Sequence, residues 1–130
     1  MSEISKAQQT VKTYLTKCLS LSHKAHDCLF QASDLEFEDN KALAQIKRES
    51  SLAYLSQAYT CAQLSNYAYL QVIEEHGEWQ EFESVFHKFE VFNKEFLSSY
   101  SISHSPQWTD IEFNSFKELC EDFLLNLSSI

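Results

Sequence analysis

Two histidines and the residues beside them have the spacing that comes nearest to a metal site. His23 and His26 are three residues apart, which places them on one side of a helix, and Asp27 and Cys28 follow directly. Zn²⁺ binds imidazole, carboxylate and thiolate ligands in tetrahedral sites. Nothing in the sequence fixes further ligands near this group, so it predicts two polar positions on the outer face of the first helix and no metal.

Two catalytic patterns of helical proteins require a fixed spacing between residues that this sequence does not contain. Di-iron bundles place a glutamate three residues before a histidine, but the residues in that position here are Ser20, His23, Ile73, Ser84 and Ser101. Helical ribonucleases of the HEPN superfamily need a histidine four to six residues after an arginine. The sole arginine, Arg48, has no histidine after it until His76. A catalytic HEPN nuclease is therefore excluded, whereas an inactive relative of that bundle is not.

Two further enzyme signatures are also absent from the sequence, whereas a cysteine nucleophile would need a histidine that only the fold could bring to it. The single glycine leaves no phosphate-binding loop, and there is no G-x-S-x-G motif. We therefore expect a protein that is not an enzyme and has no cofactor.

The composition is typical of an all-α protein. One glycine and one proline in 130 residues leave little material for the turns of a β-rich fold. Residues 41–76 contain neither, and their apolar side chains recur every three or four residues, which predicts one unusually long second helix that ends at Gly77. Its expected buried face contains Leu52, Leu55, Ala58/Tyr59, Ala62, Ser65/Asn66, Tyr69/Leu70 and Ile73.

Three further segments have the helical period. Helix 1 is predicted over residues 5–31, with Ser5 and Gln8 as a capping box. After the connection at 34–40 and the second helix, an aromatic helix is expected from about residue 79, then a loop at 98–107 and a fourth helix from Thr109. Short connections predict a single domain, 1–130, folded as an antiparallel four-helix bundle with up-down-up-down topology.

The charge is divided unevenly along the chain. Residues 1–73 carry seven acids and seven Lys or Arg, whereas residues 74–130 carry twelve acids and three lysines, so the net charge of −9 belongs to the second part. Binding to a phosphate backbone depends on Lys and Arg, so direct nucleic-acid binding is not expected. A basic protein partner is the electrostatic complement of such a surface.

The cysteines and the hydropathy indicate the compartment. Cys18, Cys28, Cys61 and Cys120 include no C-x-x-C pair, and each falls on or beside an apolar stripe, which predicts free buried thiols. No apolar run is long enough for a membrane span, and the N-terminus lacks the features of a secretion signal. We expect a cytoplasmic protein without a membrane partner.

Three polar positions on the second helix are candidate contacts. Arg48 aligns with the apolar stripe and is followed by Glu49, while Asn66 lies within the stripe. An arginine so placed usually pairs with a carboxylate, here one from the acidic C-terminal part, and a ligand-binding role is the alternative. Asn66 is expected to hydrogen-bond a tyrosine or a backbone carbonyl in preference to a ligand.

The same segment resembles a known family. The run Ala42, Leu43, Gln45, Arg48, Glu49, Leu52, Leu55 and Ala58 is similar to the long-helix segment of a gammaproteobacterial family of short helical proteins of unknown function. The resemblance implies a bacterial origin and a helical bundle. It implies no activity.

These observations predict a protein-interaction module. Trp79, Phe92, Trp108 and Phe113 would mark a partner or homodimer interface if they were exposed. The first alternative is an acidic inhibitor or antitoxin-like protein that binds a basic DNA- or RNA-handling protein, with contacts from Glu74, Glu75, Glu78 and Glu81. The second alternative is a small-molecule-binding bundle with a pocket around Arg48, Asn66 and the tyrosines of helix 2.

Overall fold

Four helices make up the part of the chain that the structure, a computed structural model, describes: residues 5–102 and 107–128. They are α1 (Lys6–Phe37), α2 (Lys41–His76), α3 (Gln80–Ile102) and α4 (Gln107–Ser128), and these residues contain no strand. The all-α prediction is confirmed. In these described ranges no helix is apolar over a length that would cross a bilayer.

Capping residues mark the starts of α1 and α2. Ser5 and Gln8 form the predicted capping box at the start of α1, with hydrogen bonds of 2.9 and 3.1 Å. However, α1 continues past residue 31 to Phe37, so only Glu38–Asn40 connects it to α2. The Asn40 side chain caps α2 by accepting a hydrogen bond from the backbone of Leu43, and Asp39 has a left-handed φ of 62°. The connection is shorter than the predicted 34–40 segment.

Gly77 ends α2 as predicted. Its φ of 82° and ψ of −170° lie in a region that side chains with a Cβ avoid, and its N–H bonds the carbonyl oxygen of Ile73 over 2.9 Å. A Cβ built at this position would meet no atom within 4 Å. The need for glycine is therefore conformational and not steric.

Two predicted boundaries near residue 100 were wrong. Helix α3 continues through residues 98–102, which had been predicted as loop, and the remainder of that loop, residues 103–106, lies outside the described residues. Helix α4 begins at Gln107, two residues before Thr109. The Thr109 hydroxyl does not cap the helix, because it hydrogen-bonds the Ser99 hydroxyl over 2.8 Å and contacts the Glu95 carbonyl at 3.4 Å.

Helices α1 and α2 are the most closely packed pair in the protein. The residues they bury are mostly small, and small side chains allow two helix backbones to approach closely. The buried small residues of this pair are Ala7, Cys18, Ser22, Ala25 and Ala32 on α1, and Ala44, Ser51, Ala58, Ala62 and Ser65 on α2.

Helices α3 and α4 are held together by phenylalanine rings. Phe92 is fully buried and lies 5.4 to 6.2 Å, between ring centres, from the rings of Phe89, Phe96, Phe113 and Phe116. Helix α4 also packs against α1, and α3 against α2. Each helix thus contacts its neighbours in the chain, and α4 contacts α1, as in a bundle.

The buried face of α2 differs from the expectation in part. Leu55, Ala58, Ala62, Ser65 and Tyr69 are buried as predicted. Four other apolar members of the predicted face are exposed: Leu52, Tyr59, Leu70 and Ile73. The close approach of α1 favours alanine or serine at most of the buried positions of α2, because a larger residue there would separate the two backbones.

Candidate functional site

Arg48 lies where the end of α1, the start of α2 and the end of α3 meet. Its guanidinium donates to the Glu36 carboxylate over 3.2 Å and to the carbonyl oxygen of Tyr100 over 2.9 Å. It also lies over the Tyr100 ring, 4.9 Å from the ring centre, and the side chain is 16% exposed. The predicted ion pair is present, but its carboxylate belongs to α1 and not to the acidic C-terminal part.

The other two polar positions of α2 lie apart from these contacts. Glu49 is exposed and accepts a hydrogen bond from the Gln45 side chain over 3.2 Å, whereas Asn66 is half-buried. Arg48 and Asn66 are separated along α2 by about 27 Å at 1.5 Å per residue. A pocket that joined both would be too long for one small molecule.

The predicted acidic contacts surround the turn between α2 and α3. Glu74, Glu75, Glu78 and Glu81 are all exposed. The turn itself is fixed by Tyr69, whose hydroxyl donates to the Glu83 carboxylate and accepts a 2.9 Å hydrogen bond from the Trp79 N–H. Burial raises the pKa of Tyr69, and its hydrogen bond to Glu83 acts in the same direction.

The two tryptophans do not form one patch. Trp79 is half-buried, and its ring centre lies 4.9 Å from that of Phe123 near the end of α4. Trp108 lies at the start of α4 and is 61% exposed. Phe92 and Phe113, the other two aromatic residues that could mark an interface if exposed, are buried.

A groove of about 390 Å³ lies beside Trp79, between side chains of α3 and α4. Val85, Phe123 and Leu127 supply buried apolar lining, while the exposed carboxylates of Glu81 and Asp122 lie at its edge. The groove therefore combines an apolar floor with negative charge. Two of the predicted contacts, Trp79 and Glu81, line this groove together.

The histidines of α1 contact α4 instead of forming a metal site. His26 is half-buried, with Nε2 2.8 Å from the Asp110 carboxylate and its ring stacked on Phe113 at 4.5 Å. His23 lies 3.4 Å from Asp27 on the exposed side. Within residues 5–102 and 107–128, no group of His, Cys, Asp or Glu has the arrangement of a metal site.

The four cysteines are free thiols. Burial raises the pKa of Cys18 well above its usual range and that of Cys120 to about 12. A thiol kept protonated is a poor nucleophile and a poor metal ligand. Cys18 and Cys120 therefore act as small hydrophobic residues, as predicted, while Cys28 and Cys61 are half-buried.

The outer side of α2 is the feature that most resembles a binding surface. Between Glu49 and Glu74 the helix has no Asp, Glu, Lys, Arg or His over 24 residues, a length of about 36 Å. A line of exposed residues runs along this side with alternating steps of four and three. We call it the outer seam, and it consists of Ala53, Gln57, Thr60, Leu64, Tyr67 and Gln71.

The outer seam is apolar where its side chains are largest. Tyr67 is 77% exposed and Leu64 is 40% exposed, and the exposed Tyr59 and Leu70 lie beside the line. Solvent-facing helix sides normally carry charges, whereas protein interfaces are depleted of charge and enriched in tyrosine. The four-and-three spacing is also the spacing by which two helices pack side by side.

Charged residues of opposite sign flank the seam. On the α1 side, the Lys24 ammonium lies 5.7 Å from the centre of the Tyr54 ring, and Lys6 lines a groove with Tyr67. Lys17 lies seven residues before Lys24 and is likewise exposed. On the α3 side, Glu83 bonds Tyr69 and Glu90 follows seven residues later. Both edges are exposed.

The sequence contains a signal for this surface, the stretch of α2 without charged residues. Comparing the net charges of residues 1–73 and 74–130 does not reveal it. The charge-free stretch 50–73 can be seen directly in the sequence. Hydrophobic periodicity alone could not assign its sides, since apolar residues occur around most of the helix. The structure resolves the assignment by placing α1 against the small residues.

No protein-family model, no curated protein and no solved structure matches this chain. The resemblance around Arg48 to a family of short helical proteins stays a prediction.

Proposed function

We propose that this protein is a non-enzymatic protein-interaction module and that its docking surface is the outer seam of α2. The observation that carries the proposal is an exposed helix side of about 36 Å without a charged residue, on a chain with a net charge of −9. Exposing Leu64, Tyr67 and Leu70 to water is unfavourable, and a partner that covers them recovers about 25 cal/mol per Å² of apolar surface.

The fold proposed with this function is the antiparallel up-down-up-down bundle with a long second helix. Tyr69 near the end of α2 meets Glu83 near the start of α3, and Arg48 near the start of α2 reaches Tyr100 near the end of α3. At 36 residues, α2 is long for a globular helix. This arrangement leaves one full side of α2 open.

The experiment that tests the proposal compares two places at which apolar side chains are exposed. We expect tagged wild-type protein to retain a stoichiometric protein partner, either a second copy or another protein, from its native host. Leu64→Lys with Tyr67→Lys should abolish retention. Leu125→Lys on α4, where the leucine is 69% exposed, is the matched control and should not. Retention unaffected by the seam variant would refute the proposed surface.

A second candidate function is an acidic protein that binds a basic partner, and the groove beside Trp79 favours it. Its apolar floor and the Glu81 and Asp122 carboxylates suit a helix that carries both leucines and lysines. A synthetic leucine- and lysine-containing helical peptide serves as the probe. Calorimetry should detect binding that weakens with salt and is lost in Glu81→Lys with Asp122→Lys. Binding indifferent to both would exclude this function.

The compartment and origin belong to the same proposal. Four free thiols support a reducing cytoplasm. The resemblance around Arg48 supports a bacterial source.

A further inference from the structure

We propose that the outer seam binds a second copy of this chain, in a two-fold dimer whose symmetry axis runs along the direction of α2. This inference rests on the proposed function and names the occupant of its surface. Three independent features support a second copy: the distribution of charge along the chain, the geometry of the seam, and the sign of the charges at its two edges.

The charge distribution restricts where two copies can meet. Each chain carries −9, and its excess of carboxylates lies on residues 74–130, which supply α3 and α4. Contacts through α3 and α4 would bring carboxylates of both copies together, and like charges in contact cost several kcal/mol. The α2 side between Glu49 and Glu74 is uncharged. A dimer through this stretch of α2 keeps the carboxylates of α3 and α4 in one copy apart from those in the other.

The seam also has the shape that pairing requires. The smaller Ala53 and Thr60 lie in its first half, and the larger Leu64 and Tyr67 lie in its second half. From Ala53 to Gln71 it extends about 27 Å. A stable interface buries about 800 Å² on each partner, which requires contributions beyond one helix. The exposed Leu52, Tyr59 and Leu70 and the edges of α1 and α3 supply this width.

The edges determine the direction of the symmetry axis. Lys6, Lys17 and Lys24 lie on the α1 edge, and Glu83 and Glu90 lie on the α3 edge, which also carries Lys94. A two-fold axis along the helices places α1 of one copy opposite α3 of the other, so lysines face glutamates. An axis across the helices would place α1 against α1 and α3 against α3. Charge complementarity selects the first arrangement.

Sedimentation of the purified 130-residue chain tests whether a second copy occupies the outer seam. We expect a mass near twice the 15.1 kDa of one chain. Leu64→Lys with Tyr67→Lys should yield the monomer, and Leu125→Lys should remain dimeric, with equal helix content by circular dichroism in all three. A wild-type chain that stays monomeric at several hundred micromolar would overturn the inference. If that monomer still retained another protein through Leu64 and Tyr67, the proposed function would stand.

A charge exchange tests the axis. Lys17→Glu alone and Glu90→Lys alone should each raise the dimer Kd on the order of tenfold at low salt. The double variant restores the opposite-sign contact, so its Kd should return close to the wild-type value. Single variants without effect, or a double variant weaker than either, would overturn the assigned axis. High salt should reduce the effects of both single variants.

Discussion

The two helix pairs of this protein, α1 with α2 (the first pair) and α3 with α4 (the second pair), bury side chains of different size. Helices α1 and α2 meet through alanine, serine and cysteine, whereas α3 and α4 meet through phenylalanine rings. The charges follow the same division, since the excess of carboxylates lies in residues 74–130, which include the second pair. Small buried residues thus bring α1 and α2 close together, whereas Leu64, Tyr67 and Leu70 of α2 face outwards.

Removing a central ring should have the largest effect. Phe92→Ala deletes a fully buried ring that contacts four other phenylalanines, so the free energy of unfolding should fall by about 3–5 kcal/mol. Urea unfolding measures the change. Phe37→Ala is the matched control, because Phe37 is 94% exposed, and it should change stability by less than about 0.5 kcal/mol. Equal losses at the two positions would contradict the aromatic core.

Enlarging a small buried residue should destabilise the packing of α1 against α2. Ala62→Leu adds volume where α1 and α2 approach closely, and overpacking of this kind costs about 1–3 kcal/mol. Ala42→Leu makes the same change at an exposed position of α2 and should be nearly neutral. Thermal unfolding of both variants gives the comparison. If Ala62→Leu stabilised the protein, the close approach of the two helices would be wrong.

Removing the Tyr69 hydroxyl should weaken the turn between α2 and α3. Tyr69→Phe removes the hydrogen bond to Glu83 and leaves the Trp79 N–H without its acceptor, at a cost of about 1–2 kcal/mol. Tyr59→Phe alters an exposed tyrosine and serves as the control. A change in unfolding midpoint that is the same for both variants would show that the buried contact contributes nothing.

Alkaline pH should reveal the buried thiols. A thiol in the unfolded chain ionises above its ordinary pKa of about 8.5, whereas burial raises that of Cys120 to about 12 in the folded chain. The resulting stability is fully present below pH 8.5 and is lost as pH rises towards 12. At one pH unit above 8.5, the loss of unfolding free energy is about 1.4 kcal/mol.

The slope of stability against pH isolates this contribution. Cys120→Ala should reduce the fall in unfolding free energy between pH 8 and 9.5, measured with urea at each pH. Leu127→Ala removes a buried group that does not titrate, so its slope should match that of the wild type. An unchanged slope in Cys120→Ala would show that the thiol is not protected from ionisation.

Some of the fold could be predicted from sequence because local chemistry determines it. The bounds of α2 follow from a stretch without glycine or proline that ends at Gly77, and the start of α1 follows from Ser5 and Gln8. The end of α1 was missed, because no residue near position 31 stops a helix. The start of α4 was missed because Thr109 bonds α3, a tertiary contact that local spacing does not encode.

The candidate surface was less predictable than the fold. The ion pair of Arg48 was expected, but its partners, Glu36 and Tyr100, come from other helices and are selected by the way the helices meet. Likewise, Leu52 and Tyr59 were expected to be buried because they are apolar. Their exposure depends on which side of α2 receives α1, and residue volume decides that together with hydrophobicity.

The connection of three residues, Glu38–Asn40, bears on the order in which the protein folds. Contacts beside it join residues close together in the chain, and such contacts form with little loss of chain entropy. We expect α1 and α2 to pack together before the phenylalanine rings of α3 and α4 assemble. Ala32→Gly beside the connection should then slow refolding, while Phe116→Ala should chiefly speed unfolding, as stopped-flow measurements would show.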